Sequence, residues 1–75
     1  MKASADTVRL TRRERELLAE IVEGRANRAI AQKFGVREQT VRNQLTVLFD
    51  KFGVSTRLEL AMYAVRQNLL KNFSS

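Results

Sequence analysis

Three glycines divide this 75-residue chain, which contains no proline, into short helical segments. Gly24, Gly35 and Gly53 each stand where a stretch of helical periodicity ends. Glycine is favoured just past the C-terminus of a helix because it adopts the left-handed backbone conformation without steric cost. The pattern therefore predicts an all-α domain of four helices joined by tight turns.

Two capping boxes mark where the first and fourth helices begin. Thr11 is followed three residues later by Glu14, and Thr56 is followed in the same way by Glu59. In a capping box each side chain accepts a hydrogen bond from the backbone N–H of the other residue. We predict that the first helix opens at Thr11 and that the fourth runs from Thr56 to about Leu70.

The middle of the chain predicts a short helix, a glycine turn and a longer helix. The short helix starts after Asn27, a favourable N-cap residue, and continues to about Phe34. The longer one spans about Glu38 to Phe52, because apolar residues recur at spacings of four, three and four: Val41, Leu45, Leu48 and Phe52. Two helices joined in this way form a helix-turn-helix, which holds its second helix out from the body.

The outward face of the predicted third helix is polar. At about 100° per residue, the side chains that point away from the core are Gln39, Arg42, Asn43, Thr46 and Val47. Arginine forks onto guanine, asparagine and glutamine pair with adenine, and threonine or valine methyl groups contact the thymine methyl. The only acids on this helix are Glu38 at its start and Asp50 near its end. We predict that the five residues contact bases in the major groove of double-stranded DNA.

Positive charge is concentrated around the predicted turn. The chain carries 14 basic and 8 acidic residues, a net charge of +6. Five basic residues lie within 18 positions against one acid: Arg25, Arg28, Lys33, Arg37 and Arg42. Such a cluster indicates a polyanionic partner, with helix N-termini adding N–H donors for phosphate. The first helix instead alternates arginine with glutamate, a pattern that we interpret as surface ion pairs of Glu14, Glu16, Glu20 and Glu23.

Cysteine and histidine are both absent. Their absence excludes disulfides, thiolate zinc sites, thiol nucleophiles and imidazole bases. The remaining residues assemble no nucleophile–base pair, carboxylate dyad or phosphate loop, so we expect no catalysis, no cofactor and no metal. No apolar run approaches the roughly 20 residues of a membrane span, and we expect a cytoplasmic protein without a membrane partner.

The predicted fourth helix is apolar nearly all round. One stripe, which we predict to face the core, consists of Leu58, Ala61, Met62, Val65 and Leu69. A second set of apolar residues lies elsewhere on this helix, and one small core cannot cover both. We predict that the second set forms a dimer interface, or else packs on a domain outside this sequence. The residues predicted for the dimer interface are Leu60, Tyr63, Ala64 and Gln67.

Five segments, between about Leu10 and Leu69, resemble the LuxR-type (GerE-like) helix-turn-helix family in order and spacing. They are Leu10-Thr-Arg-Arg-Glu-Arg-Glu-Leu-Leu18, Gly24-Arg-Ala-Asn-Arg-Ala-Ile-Ala31, Gly35-Val, Thr40-Val-Arg-Asn-Gln-Leu45 and Lys51-Phe-Gly-Val-Ser-Thr-Arg-Leu-Glu-Leu-Ala61. The resemblance implies a bacterial transcription regulator with a four-helix DNA-binding domain. It also implies that the third helix enters the major groove and that the fourth pairs subunits into a homodimer on inverted half-sites.

By position, the resemblance implies that Arg42, Asn43 and Thr46 face bases. The residues that it implies for contacting or orienting on phosphates are Asn27, Arg28, Thr40 and Arg57. Arg37 stands where the family usually has a Ser or Thr cap, so we expect a weaker cap and an added phosphate contact. Gln44 replaces a frequent histidine and Val47 a frequent polar residue, which leaves the preferred base sequence open.

We predict one domain over residues 10–70, with flexible tails at 1–9 and 71–75. The resemblance favours the effector domain of a response regulator, preceded by a receiver or ligand-binding domain; a stand-alone protein is the other possibility. The alternative function is a small helical protein-interaction module that binds a partner through its apolar fourth helix. In that case the basic face would be incidental.

Overall fold

A computed structural model describes residues 10–67. These residues form four α-helices: α1 (Arg12–Val22), α2 (Asn27–Phe34), α3 (Glu38–Phe52) and α4 (Arg57–Arg66). No strand occurs in residues 10–67. The prediction of an all-α, four-helix domain is confirmed. Both predicted tails and the end of the predicted fourth helix, at Leu70, lie outside the described residues.

Both predicted capping boxes are formed. The Thr11 hydroxyl oxygen accepts from the Glu14 amide, and the Glu14 carboxylate accepts from the Thr11 amide, both at 3.0 Å. Thr56 and Glu59 repeat the arrangement at 3.1 and 3.2 Å. Each box satisfies two of the N–H groups that the first turn of a helix leaves without partners, and so fixes where α1 and α4 begin.

The core is formed from all four helices. Among residues 10–67, ten apolar residues are at most 5% exposed: Leu17, Leu18, Ile21, Ile30, Ala31, Val41, Leu45, Leu48, Leu60 and Ala64. The predicted inner stripe of α3 is buried at Val41, Leu45 and Leu48, and Phe52 packs against it partly exposed. Burial of this stripe turns the opposite face of α3 to solvent.

The orientation predicted for α4 is wrong. Leu60 and Ala64, which we assigned to a dimer interface, are only 0% and 1% exposed and lie in the core. The predicted inner stripe is instead largely exposed, with Leu58 at 69%, Met62 at 49% and Val65 at 59%. Of the other predicted interface residues, Tyr63 is half-buried, and the centroid of its ring lies 5.0 Å from that of Phe52. Gln67 is exposed.

A polar contact at the start of α4 accompanies this orientation. The Arg57 guanidinium donates to Asn27 Oδ1 at 2.6 Å, so the first residue of α4 points towards α2. Leu60 and Ala64 follow Arg57 by three and seven residues and therefore share its face of the helix. Because α4 is apolar on both sides, its hydrophobic pattern alone did not select between the two orientations.

Asn27 was predicted to cap α2, and this prediction is also wrong. The N-cap residue is Ala26, whose side chain makes no cap hydrogen bond, and Asn27 is the first residue of the helix. The side-chain oxygen of Asn27 is committed to Arg57 instead of a backbone N–H. Asn27 thus joins two helices rather than stabilising the start of one.

Candidate nucleic-acid interface

The exposed face of α3 brings together the side chains that we predicted to contact bases. All five are exposed or partly exposed: Gln39, Arg42, Asn43, Thr46 and Val47. They point outward because the opposite side of α3 is buried in the core. The face offers amide, guanidinium, hydroxyl and methyl groups, which are the groups that proteins use on base edges in the major groove.

Most of these side chains are hydrogen-bonded along the helix. Gln39 Nε2 donates to Asn43 Oδ1 at 3.0 Å, one turn further on. Arg42 Nη2 donates to Glu38 Oε2 at 3.1 Å, and the Thr46 hydroxyl donates to the Arg42 carbonyl oxygen, also at 3.1 Å. The face is therefore ordered by its own contacts, and a ligand would meet paired groups rather than freely rotating side chains.

The N-cap of α3 and the first turn of α2 each carry an exposed arginine. The N-cap residue Arg37 makes no side-chain cap hydrogen bond, as expected from the departure from Ser or Thr. Arg37 and Arg28 are both exposed, and neither has a side-chain hydrogen bond or ion pair among the described contacts. Thr40, in the first turn of α3, is half-buried. Both guanidinium groups are thus free to contact an anion, Arg37 at the start of α3 and Arg28 at the start of α2.

Arg57 links the starts of α2 and α4. Its guanidinium donates to Asn27 Oδ1 at 2.6 Å and also to the backbone carbonyl oxygen of Arg25. The two residues that we assigned separately to phosphates, Asn27 and Arg57, therefore contact each other. Both are half-buried, so their geometry suits holding the loop before α2 in place, with the remaining N–H groups of Arg57 available to an anion.

The basic cluster predicted around the turn is partly neutralised by Glu20. Arg25 Nε lies 2.7 Å from Glu20 Oε1, and Lys33 Nζ lies 2.6 Å from Oε2. Glu20 is only 8% exposed, so our interpretation of it as a surface ion-pair residue is wrong. The hydrogen bond from Lys33 is the main cause that lowers the pKa of Glu20, burial opposes it, and Arg25 lowers it further.

The position of Glu20 in the sequence already indicates a buried acid, although we did not predict one. Glu20 lies between Leu17 and Ile21 on the inward side of α1, where an unpaired carboxylate would be strongly unfavourable. An acid on such a stripe requires a cation nearby, and two are present.

A second long-range ion pair joins α1 to the end of α3. Lys51 Nζ lies 2.6 Å from Glu14 Oε1, the same oxygen that accepts from the Thr11 amide. Burial raises the pKa of Glu14, but the hydrogen bond and charge of Lys51, together with the bonds from Thr11, outweigh it, so the pKa lies below its ordinary value. Of the four acids assigned to surface pairs, only Glu16 makes the pairs that we expected, with Arg12 at 3.5 Å and Arg13 at 3.7 Å.

We expect Glu14 and Glu20 to make the fold acid-sensitive. Because both have a folded-state pKa below the ordinary value of 4.5, the unfolded chain binds more protons as pH falls. Their contribution to stability is fully present above pH 4.5 and is lost as pH falls through the lowered pKa values. Urea unfolding between about pH 7 and pH 3 should therefore show a falling free energy of unfolding below about pH 4.5.

Glu20→Gln should reduce that slope and also lower stability at neutral pH, since Arg25 and Lys33 lose their anionic partner. Glu23→Gln, at an exposed position of the same segment, is the matched control and should leave both quantities nearly unchanged. Identical pH profiles for the two variants would contradict the assignment of the slope to Glu20.

Comparison with known proteins is consistent with this architecture. The sequence matches the family described as bacterial regulatory proteins, luxR family, over residues 8–64. It is 40% identical over 60 residues to the uncharacterized transcriptional regulatory protein YhcZ of Bacillus subtilis, covering 80% of this chain and 28% of YhcZ.

Two further relatives are the transcriptional regulatory protein LiaR of Bacillus subtilis and the oxygen regulatory protein NreC of Staphylococcus aureus. Identity to LiaR is 38% over 61 residues, 81% of this chain and 29% of LiaR. Identity to NreC is 37% over 62 residues, 83% of this chain and 29% of NreC. The chain thus spans less than a third of the length of each of these relatives.

The described residues were also compared with what a membrane span and a metal site require. Within residues 10–67, no helix has the length and apolar character needed to cross a membrane. In the same part of the chain, the acidic side chains form no group of three or more that could hold a metal ion.

The match to the family extends over α1, α2 and α3 and most of α4. This chain belongs to the luxR family of bacterial regulatory proteins, as one of its helix-turn-helix DNA-binding domains.

Proposed function

We propose that this domain binds specific sequences of double-stranded DNA in the bacterial cytoplasm, with α3 lying in the major groove. The observation that carries the proposal is the exposed face of α3. It holds five side chains suited to base edges, while Glu38 and Asp50 stand at its two ends. A solvated helix face without a partner would ordinarily intersperse acids with lysines along its whole length.

We assign the base contacts to the exposed face of α3, with the same five residues that we predicted from the sequence. Arg42 forks onto guanine, Asn43 and Gln39 pair with adenine, and the remaining two residues, Thr46 and Val47, contact thymine methyl groups. The hydrogen bond between Gln39 and Asn43 is exchanged for bonds to bases on binding. The exchange costs little because one set of bonds replaces another.

Phosphate contacts flank this face. Arg28 in the first turn of α2 and Arg37 at the N-cap of α3 are the best placed, since both are exposed and neither is paired among the described residues. Thr40 lies in the first turn of α3, where N–H groups favour anions. Asn27 and Arg57 act chiefly by orienting the start of α2, with one phosphate contact left to the guanidinium.

We infer that α4 pairs two copies of the domain through its exposed apolar stripe. This stripe consists of Leu58, Met62 and Val65, and Val22 of α1 lines the shallow groove beside it. It replaces the predicted interface at Leu60 and Ala64, which the core occupies. A two-fold dimer presents two copies of α3 and so favours DNA with inverted half-sites.

Because the chain covers only 28–29% of YhcZ, LiaR and NreC, we propose that it serves as the effector domain of a response regulator. A receiver or ligand-binding domain N-terminal to it would supply the signal. Catalysis forms no part of this role.

The test is selection of bound sequences from a random duplex pool at about 150 mM salt, near physiological ionic strength. We expect an enriched inverted repeat that disappears with the double variant Arg42→Ala/Asn43→Ala. Binding without enrichment would show a non-specific DNA binder. Failure to retain DNA would favour the alternative, a protein-interaction module that uses the exposed stripe of α4.

The dimer predicts a specific effect of Leu58→Gln/Val65→Gln. Both side chains are more than half exposed, so the fold of one copy should be unaffected. Affinity for the full inverted repeat should fall at least about tenfold towards that of a half-site, because the second binding event is no longer linked to the first. Titration of full and half sites, with sedimentation of the complexes, measures this. Equal losses on both sites would contradict pairing through the stripe.

A further inference from the structure

Glu38 stands out as the one carboxylate in the N-terminal half of α3. Its Oε2 atom accepts from Arg42 Nη2 at 3.1 Å, and the two side chains are 41% and 57% exposed. Among the described contacts the other carboxylate oxygen, Oε1, accepts no hydrogen bond. The pair therefore presents a guanidinium and a carboxylate oxygen side by side at the solvent.

A carboxylate at this place is unfavourable for simple attraction to DNA. Arg37, the N-cap residue directly before Glu38, is an exposed arginine, and an acid beside it repels the phosphates that this arginine would attract. Support of the helix N-terminus accounts for an acid here but does not require that it contact the arginine assigned to guanine. The contact with Arg42 nevertheless places the Glu38 carboxylate beside the guanidinium that we assign to a base edge.

We propose that Glu38 is a specificity-determining residue that accepts a hydrogen bond from the N4 amino group of cytosine, beside the guanine contacted by Arg42. The inference rests on the proposed placement of α3 in the major groove. Guanine presents only acceptors in that groove, N7 and O6, which suit the guanidinium. Cytosine presents only the N4 donor, which suits the carboxylate.

The geometry of the pair fits two neighbouring bases. The hydrogen bond of 3.1 Å between Arg42 Nη2 and Glu38 Oε2 keeps the guanidinium next to the free Oε1 atom, so that one pair can reach two neighbouring bases. Adenine also carries an amino donor, but its N7 acceptor lies next to that donor and repels a carboxylate. Thymine offers only the O4 acceptor and a methyl group. Cytosine is therefore the base that Glu38 selects, while the bond to Arg42 holds both side chains in register.

The test is a double-mutant cycle that combines the variant Glu38→Ala with a change of one base pair. In that pair cytosine is replaced by thymine and its partner guanine by adenine. The pair lies next to the guanine whose preference depends on Arg42. The site is taken from the selection with the unaltered domain. For that domain we expect the base change to weaken binding roughly tenfold, the size of one good base contact. For Glu38→Ala the same base change should have no effect. Asp50→Asn removes the other acid of α3 and is the matched control, which should keep the tenfold preference for cytosine.

Circular dichroism melting of each variant checks that α3 remains folded. An equal penalty for the base change in the unaltered domain and in Glu38→Ala would overturn the inference alone, as would enrichment of no cytosine at this position. If Glu38→Ala and Asp50→Asn both tighten binding to every sequence alike, Glu38 acts only through charge, and the inference is again overturned. Enrichment of a sequence without a guanine that depends on Arg42 would overturn the inference alone. Failure to enrich any sequence would overturn the proposed function as well.

Discussion

Leu60→Ala is expected to lower the free energy of unfolding by about 2–5 kcal/mol, whereas Leu58→Ala should change it by less than about 0.5 kcal/mol. The two leucines are two residues apart on α4, but Leu60 is 0% exposed and Leu58 is 69% exposed. Truncating the buried one removes apolar contacts and leaves a cavity in the core. Truncating the exposed one removes surface that already contacts water.

Urea unfolding followed by far-ultraviolet circular dichroism measures both values. A domain of this size has a total stability on the order of 5 kcal/mol, so Leu60→Ala can be largely unfolded without denaturant. Leu60→Met, which nearly conserves volume, keeps the comparison quantitative and should cost less than about 1.5 kcal/mol. A larger loss for Leu58→Ala than for Leu60→Ala would mean that α4 turns its other face to the core.

Arg42→Ala is expected to weaken binding to the selected site by about 1–3 kcal/mol and to relax the preference at one guanine. The reason is that a guanidinium forked onto guanine supplies two hydrogen bonds that no other base accepts equally well. Arg28→Ala should behave differently, because Arg28 is proposed to contact phosphate. The affinity of the Arg28→Ala variant should fall on selected and random DNA alike. The slope of the logarithm of the binding constant against the logarithm of salt concentration should decrease in magnitude by about one.

Titrations of both variants against the selected site and a scrambled duplex, at several salt concentrations, separate the two kinds of contact. An equal loss on both duplexes for Arg42→Ala would show that this arginine contacts only phosphate. The proposed placement of α3 would then have to rest on Gln39 and Asn43 alone.

Local chemistry explains why the helix boundaries could be predicted from sequence. The capping boxes at Thr11 and Thr56 depend on residues three positions apart, and the left-handed caps at Gly35 and Gly53 depend on single residues. The buried stripe of α3 follows from a spacing that only one helix face satisfies. The exposed face of the candidate site could therefore be assigned from helical periodicity alone.

Contacts between distant residues account for what could not be predicted. Arg57 of α4 contacts Asn27 of α2 across 30 positions, and Lys51 of α3 contacts Glu14 of α1 across 37 positions. An apolar pattern on both sides of a helix has no preferred inner face until such a contact exists. The bond between Glu38 and Arg42 spans only one turn and could have been anticipated from the sequence.

The hydrogen bonds of Arg57 give a single side chain influence over two separate properties. It ties the start of α4, the helix that carries the exposed apolar stripe, to Asn27 of α2, and it bonds the backbone at Arg25, two residues before α2 begins. In the proposed dimer, the distance between half-sites and the fit of each half to its DNA would both depend on this arginine. A replacement of Arg57 would then alter two properties together: the preferred spacing between half-sites and the fit of each subunit to its half-site.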